Sequence, residues 1–377
     1  MIRNAFGLLY TSDDNMRLKE LTLERTIASV PFGGRYRIID FAMSNLINSG
    51  IISVAVLTQK NYSSLLDHLG SGSAYDLQRK TEGLRLLPPY ATTDTGEYRG
   101  LIDAFRAARD FLEHTQYKYC IFQNCNAVYN CDYTDMMAQH ERTGAEITFR
   151  YLDLSEDGPP VGSLGREDTL HFEVDEQNRI VDMELDPVQP KTHTISLGCM
   201  LIDKQLLNYL VDEAFSRGLW DFSRDILLRK YKTMRLYAYK HQGYAARMTS
   251  VEAYYKANMD LLNPSVRYEL FDLENRIYTK VKDEVPSLYK PTALSKNSML
   301  ADGCIIEGEI ENCILGRGVH VQAGAVCRNS VIQQGSQIQE NAQIENCILD
   351  KDVIVRRGRR LVGPSNYPIV VRKGSVI

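Results

Sequence analysis

No apolar run in this sequence approaches the roughly 18 residues of a membrane-spanning helix, so no segment reads as a membrane span. The first ten residues carry one arginine and a short apolar stretch, less than the hydrophobic region and cleavage site of a signal peptide require; they read as a first buried strand. None of the eight cysteines (Cys120, Cys125, Cys131, Cys199, Cys304, Cys313, Cys327 and Cys347) forms a Cys-x-x-Cys motif, and no histidine pair stands near them at zinc spacing. That excludes the common zinc motifs, and reduced thiols in a cytoplasmic protein are expected. The seven histidines are scattered, with no Ser/His/Asp or Cys/His constellation for nucleophilic catalysis, and His68 and His140 are expected on helix surfaces. Charge of one sign is not in excess either. A net charge of −4 gives no general attraction to nucleic acid or to an anionic membrane.

What is present describes a globular chain. With 377 residues, 44% apolar and 24% charged, it has the length and composition of two or three domains. Over residues 1–263, strand-like and helix-like segments alternate. Ala5–Tyr10 is a short apolar strand, and residues 38–49 place Ile38, Phe41 and Leu46 at helical spacing before Gly50 as a C-cap. Residues 52–58, 119–123 and 146–151 read as strands, and 103–113 and 134–143 as helices. The pattern predicts an α/β, Rossmann-like domain with a mostly parallel sheet, whose ligands sit beyond the carboxyl ends of the strands. Residues 264–296 hold three prolines and little periodicity, and are expected to be a linker.

A different rhythm fills residues 297–377. Small residues recur six apart at Gly318, Gly324, Ser330, Ser336 and Ala342, and two positions after each stand His320, Val326, Ile332, Ile338 and Ile344. After a phase slip, Ile348 and Ile354 resume the step. A period of six matches neither helix nor strand. It matches one flat side of a triangular parallel β-helix, whose interior is predicted to include Val326, Ile332, Ile338 and Ile344.

Residues 31–50, PFGGRYRIIDFAMSNLINSG, followed by Leu57-Thr58-Gln59, closely resemble the N-terminal signature of ADP-glucose pyrophosphorylases, the glucose-1-phosphate adenylyltransferases. Asp132-Tyr133, Asp221-Phe222-Ser223-Arg224-Asp225 and the stretch from Tyr254 to Asp260 resemble further segments of that family, and the hexapeptide repeat is similar to its C-terminal domain. The resemblance implies a nucleotidyltransferase domain followed by a left-handed β-helix. It also implies a reaction of ATP with glucose 1-phosphate to give ADP-glucose and pyrophosphate. Such chemistry needs backbone donors around the phosphates, cationic side chains, and Mg²⁺ held by carboxylates.

Against that pattern the chain departs at four places. The family's glycine-rich phosphate loop aligns with a run in which Ser12, Asp13 and Asn15 replace the three glycines, while Arg17 and Leu18 are kept. Glycines allow close backbone approach to phosphate, and aspartates repel it. Ile27 replaces a lysine that would neutralise phosphate charge. Asn126 and Arg247 replace the two Mg²⁺-binding aspartates. An amide is a poorer ligand for Mg²⁺ than a carboxylate, and a cation at roughly 4 Å would repel each charge of the ion by about 4 kcal/mol at an effective dielectric near 20. Leu185 and Asp186 replace a sugar-binding glutamate and a phosphate-binding lysine. No cofactor and no metal site are therefore expected.

Several groups are kept. Ser196, Asp221 and Phe222 match the sugar pocket, beside Arg17. Arg25 and Arg37 match arginines of the family's activator-phosphate site, and Arg372 in the basic tail joins them as an effector-binding candidate, since arginine binds phosphate bidentately. The ordinary reading of Arg356, Arg357, Arg359 and Arg360 is a solvated rim, and that of Asp225 a helix brace. The combination resembles the GlgD-type, non-catalytic subunit of the family. It implies a catalytic GlgC-type partner, a hetero-oligomer of tetrameric type and a phosphorylated sugar effector. Three alternatives stand beside it. One is a weakly active nucleotidyltransferase recruiting Asp132 or Asp225 as metal ligands. Another is a hexapeptide acyltransferase using His320, and the third is a free-standing sugar-phosphate sensor.

Overall fold

A computed structural model describes residues 1–11, 17–89, 98–154 and 169–377; Ser12, Asp13 and Asn15 lie outside the described residues. Nine strands build the central sheet. They are β1 (Ala5–Tyr10), β2 (Ser53–Leu57), β3 (Gly83–Leu87), β4 (Tyr119–Asn124), β5 (Ile147–Asp153), β6 (Leu170–Val174), β7 (Ile180–Leu185), β8 (Thr194–Asp203) and β9 (Leu236–Lys240). β3, β2, β1 and β4 lie side by side and parallel. β8 then runs antiparallel between β4 and β5, and β9 pairs parallel with β5. The antiparallel pair β6–β7 joins the start of β8, with His171 opposite Ile195.

The inner parallel strands are largely apolar because both faces of the sheet are covered. Phe6, Leu8, Ala55, Leu57 and Phe122 enter one core, and Leu9, Val54, Val56 and Ile121 enter the other. Helix α1 (Ile38–Asn48) presses Ile39, Ala42, Met43 and Leu46 onto the second face, and Gly50 ends it with φ +85°. The helix expected over 103–113 is instead two short helices, Leu101–Ala107 and Arg109–His114, meeting at Ala108. The Ala108 N–H is shared between the carbonyls of Ala104 and Phe105. His68 and His140 are not on helix surfaces. His68 is buried against Asp40 (2.5 Å), and His140 is buried against Thr148 Oγ1 (2.8 Å). All eight cysteines are buried free thiols.

The span 264–296 is more ordered than a linker. Pro264 stands at the first turn of a helix, Pro264–Leu270, capped by the Asn263 side chain, a position where the missing N–H of proline costs nothing. The first β-helix strands, Leu288–Tyr289 and Leu294–Lys296, also fall within it.

From there the chain winds as a left-handed parallel β-helix with three strand columns. Most successive coils are offset by 17 residues, as in Glu309 to Val326 to Gln343 and Ile314 to Val331 to Ile348. One side of each such coil is therefore five residues long, not six. The interior line runs Val321, Cys327, Ile332, Ile338, Ile344, Leu349 and Val355. Ile332, Ile338 and Ile344 are inside as expected, but Val326 is turned outward and Cys327 takes its place. Likewise Leu349 is inside, while Ile348 packs against the first domain. The short side turns at a corner of left-handed asparagines, Asn297, Asn312, Asn329 and Asn346, with φ between +43° and +52°. Asparagine tolerates that conformation, and the amides form a ladder, Asn297 Nδ2 to Asn312 Oδ1 at 2.8 Å and Asn312 Nδ2 to Asn329 Oδ1 at 3.1 Å.

The two domains share one hydrophobic cluster. Ile314, Val331 and Ile348 of the β-helix pack with Leu21, Phe32, Phe41, Tyr254 and Leu261. Gly34 allows the approach, since a β-carbon there would lie 2.8 Å from the Leu315 carbonyl oxygen. Tyr254 OH donates to Pro31 O (2.6 Å) and accepts from Gln333 Nε2 (2.8 Å), and Tyr255 OH donates to Asn329 O (2.6 Å).

Candidate functional site

A cavity of about 280 Å³ opens where β1 and β4 end, at Tyr10 and Asn124. Its walls include Phe122, Phe149, Leu170 and Met200, and its polar groups are Ser196, Asp221, Ser223, Asn124 and Arg99. A β-bulge in β8 between Ser196 and Cys199 turns Ser196 toward the cavity, where its Oγ accepts the Gly198 N–H at 3.1 Å. Asp221 caps the turn Phe222–Leu227 through the Arg224 N–H (2.9 Å), and Phe222 meets the edge of Phe105 at 5.4 Å. Arg99 lies 3.3 Å over the ring of Trp220 and reaches Asp103. Gly100 permits the close crossing, because a β-carbon there would stand 2.3 Å from the Trp220 carbonyl oxygen. Ser196, Asp221 and Phe222 are thus brought together. Arg17 is half-buried and is not among the residues lining this cavity. The cavity offers hydrogen bonds to a hydroxylated ring and, among the described residues, one lining cation.

Beside it lie the altered positions. The strand Ala245–Arg247 pairs with Ala127–Tyr129, setting Arg247 opposite Ala127, and the Met248 N–H donates to Asn126 O at 2.7 Å. Asn126 and Arg247 are therefore neighbours, as a two-carboxylate metal site would require, and both are buried. The Asn126 Oδ1 atom has no hydrogen-bond partner. Arg247 Nη1 donates to Thr169 Oγ1 at 2.7 Å, while Asp186 Oδ1 accepts the Thr169 N–H at 2.7 Å. Where the resemblance expects a lysine at 186 and an aspartate at 247, the charges are exchanged, and the pair meets on Thr169. An amide and a guanidinium do not fit a divalent cation. Among the described residues no cluster of three or more His, Cys, Asp or Glu side chains offers a metal site. Asp225 accepts the Trp220 and Asp221 N–H groups, and Asp132 accepts the Thr134 N–H, so both are engaged as local braces. Ile27 is buried in the inter-domain cluster, and Leu185 is half-buried against the sheet core.

A second site lies between the domains. A narrow cleft of about 30 Å³ is lined by Arg35 and Arg37 from the first domain, Lys280 and Lys282 from the connecting segment, and Arg317 and Lys351 from the β-helix, with Asp67 as its carboxylate. Arg317 is 7% exposed, yet its Nε and Nη2 have no hydrogen-bond partner. Burial, then the charge of Arg35, draws Arg317 below the usual arginine range, and burial does the same to Arg37. Lys351 is pushed down to about 7 by burial, then by Arg37 and Arg25. Asp67 is paired with Lys280 at 3.1 Å. Arg37 donates to the Ser64 hydroxyl at 2.9 Å.

The three effector candidates are divided by this arrangement. Arg37 lines the cleft, whereas Arg25 and Arg372 line a separate depression with Asp350, Glu20, Glu24 and Lys373. Arg25 is 5% exposed, bonded to Leu21 O (2.8 Å) and ion-paired with Asp350. It is a strut between the domains. Sequence reading did not single out Arg35, Lys280, Lys282, Arg317 or Lys351, because they come from separate stretches; only Arg35, within the 31–50 signature, carried any local signal.

Residues 15–263 match the nucleotidyl transferase family, and residues 287–365 match the GlmU-like C-terminal hexapeptide family. The glycogen biosynthesis protein GlgD of Bacillus subtilis is 32% identical, over 95% of this chain and 93% of its own length. Glucose-1-phosphate adenylyltransferases of Fervidobacterium nodosum (30%, over 96% of this chain and 86% of that protein) and Bacillus cytotoxicus (32%, over 98% and 97%) are similar to it along nearly the whole length. With both domains and the pocket at the strand ends in place, the chain belongs to the glucose-1-phosphate adenylyltransferase family of nucleotidyl transferases.

Proposed function

We propose that the chain is a non-catalytic, regulatory subunit of glucose-1-phosphate adenylyltransferase, assembling with a catalytic homologue and tuning ADP-glucose formation for glycogen synthesis. The observation that carries this reading is the pair Asn126 and Arg247, adjacent and buried where two metal carboxylates are expected. In-line transfer of an adenylyl group builds negative charge that Mg²⁺ must neutralise; the arginine of this pair repels such an ion and the amide is a poor ligand for it. The engagement of Asp132 and Asp225 as braces weighs against recruitment of replacement ligands. His320 is tied to Glu307 at 2.9 Å, which gives no support to an acyltransferase reading.

The regulatory part rests on the basic cleft. Six cations converge on it around one carboxylate, the complement of a phosphorylated effector. Arg37 keeps the role expected from the sequence, and Arg25 contributes by fixing the β-helix against the first domain. The isolated chain, given ATP, Mg²⁺ and glucose 1-phosphate, should form no measurable ADP-glucose. Turnover within about a hundredfold of an ordinary kcat of ~10 s⁻¹ would establish an active transferase and overturn the reading.

A further inference from the structure

The inter-domain cleft holds a lysine among arginines, and this difference has a chemical consequence. Arginine stays protonated at any physiological pH, whereas a crowded, half-buried lysine such as Lys351 need not. Lys351 lies on the β-helix beside Asp350, whose carboxylate is already ion-paired with Arg25. It faces Arg37 and Arg25 from the first domain and Lys282 from the connecting segment. Arg35, Lys280 and Arg317 line the same cleft, with Tyr36, His68 and the Lys280-paired Asp67 as its remaining titratable walls. His68 is itself held by Asp40 and Tyr75. Arg317 stands more than nine-tenths buried with two nitrogens unbonded; Asp302, Glu284 and Asp40 act on its charge, but the two free donors stay open to an anion.

We propose that Lys351 makes effector binding proton-linked: a phosphoryl-type dianion enters the cleft on Arg317 and Arg37 together with a proton taken up by Lys351. This rests on the cleft being the effector site. The cleft is narrow, about 30 Å³, so an effector meets it through its anionic group and keeps its remaining atoms at the mouth. Without the anion, burial first and then the charges of Arg37 and Arg25 lower the lysine to about 7. With the anion bound, attraction replaces repulsion and the lysine is protonated over a wider range. By linkage, the anion then binds more tightly at low pH and loses affinity as pH rises through the titration of the free lysine. A shift of two or more pH units on binding corresponds to a fall of roughly tenfold or more in affinity between pH 6 and pH 8.5.

Sulfate is the cleanest probe, because it does not titrate in this range. Calorimetric titration of the full-length chain at constant ionic strength, in two buffers of different ionisation enthalpy, reads affinity and proton uptake together. The expected result is a tenfold or greater loss of sulfate affinity from pH 6 to pH 8.5, with uptake of most of one proton near pH 8. Lys351→Arg should keep binding and flatten the profile to within about twofold, while His68→Gln should leave the profile unchanged. A profile that persists in Lys351→Arg, or one that disappears in His68→Gln, overturns the assignment to Lys351. Sulfate binding that is indifferent to Arg37→Ala and Arg317→Met overturns the cleft as an anion site, and with it the effector reading.

Discussion

At the scale of single residues, Arg25 and Arg37 stand in different surroundings although the sequence grouped them together. Arg25 is buried in an ion pair with Asp350 that spans the two domains. Removing one member of a buried pair leaves the other charged and unsolvated, at a cost of about 3–5 kcal/mol, whereas replacing both by apolar groups is often neutral. Arg25→Ala should therefore lower the thermal midpoint by several degrees, and Arg25→Met with Asp350→Leu should restore most of it. An Arg25→Ala chain of unchanged stability would return Arg25 to the effector candidates. Arg37, half-buried on the cleft wall, should show the reverse: little change in stability and a loss of anion affinity. The positions that depart from the family pattern were readable from sequence because they fall inside recognisable segments. What could not be read is that Asp186 and Arg247 meet on Thr169, since 61 positions separate them in the chain.

Among the elements, the β-helix shows where periodicity is informative and where it misleads. The six-residue step correctly put Ile332, Ile338 and Ile344 inside. It failed at Val326 because one side of the coil has five residues, closed by the left-handed corner at Asn329. A corner residue changes the register without changing composition, so the slip is visible only as a drift of phase. Ile338→Asp places a charge in a fully buried position and should unfold the β-helix, seen as loss of its cooperative transition. Val326→Asp should be tolerated within about 1 kcal/mol, as outward-facing substitutions usually are. Equal damage from both would contradict the register. Four of the nine sheet strands, β1, β2, β4 and β5, were legible because strands buried on both faces are largely apolar; β3, β6, β7, β8 and β9 were not read. The helix break at Ala108 was not, since no glycine or proline marks it.

For the molecule as a whole, the two domains act as one body. A shared core, the Gly34 contact and the Tyr254 and Tyr255 hydrogen bonds hold the β-helix on the first domain. The basic cleft sits on that joint, so an anion bound there contacts both domains and the segment between them. The fold and family were open to sequence reading because they depend on local patterns. The cleft was not, because its cations lie as far apart as residues 35 and 351. Regulation without catalysis by this chain is tested most directly by reconstitution. ADP-glucose synthesis should be measured for a catalytic homologue from the same source alone and mixed with this chain, over a titration of a phosphorylated sugar effector. The mixture should differ several-fold in rate or effector response from the catalytic chain alone, and the response should weaken when this chain carries Arg37→Ala. A mixture that reproduces the catalytic chain alone at every effector concentration would contradict regulation by this chain.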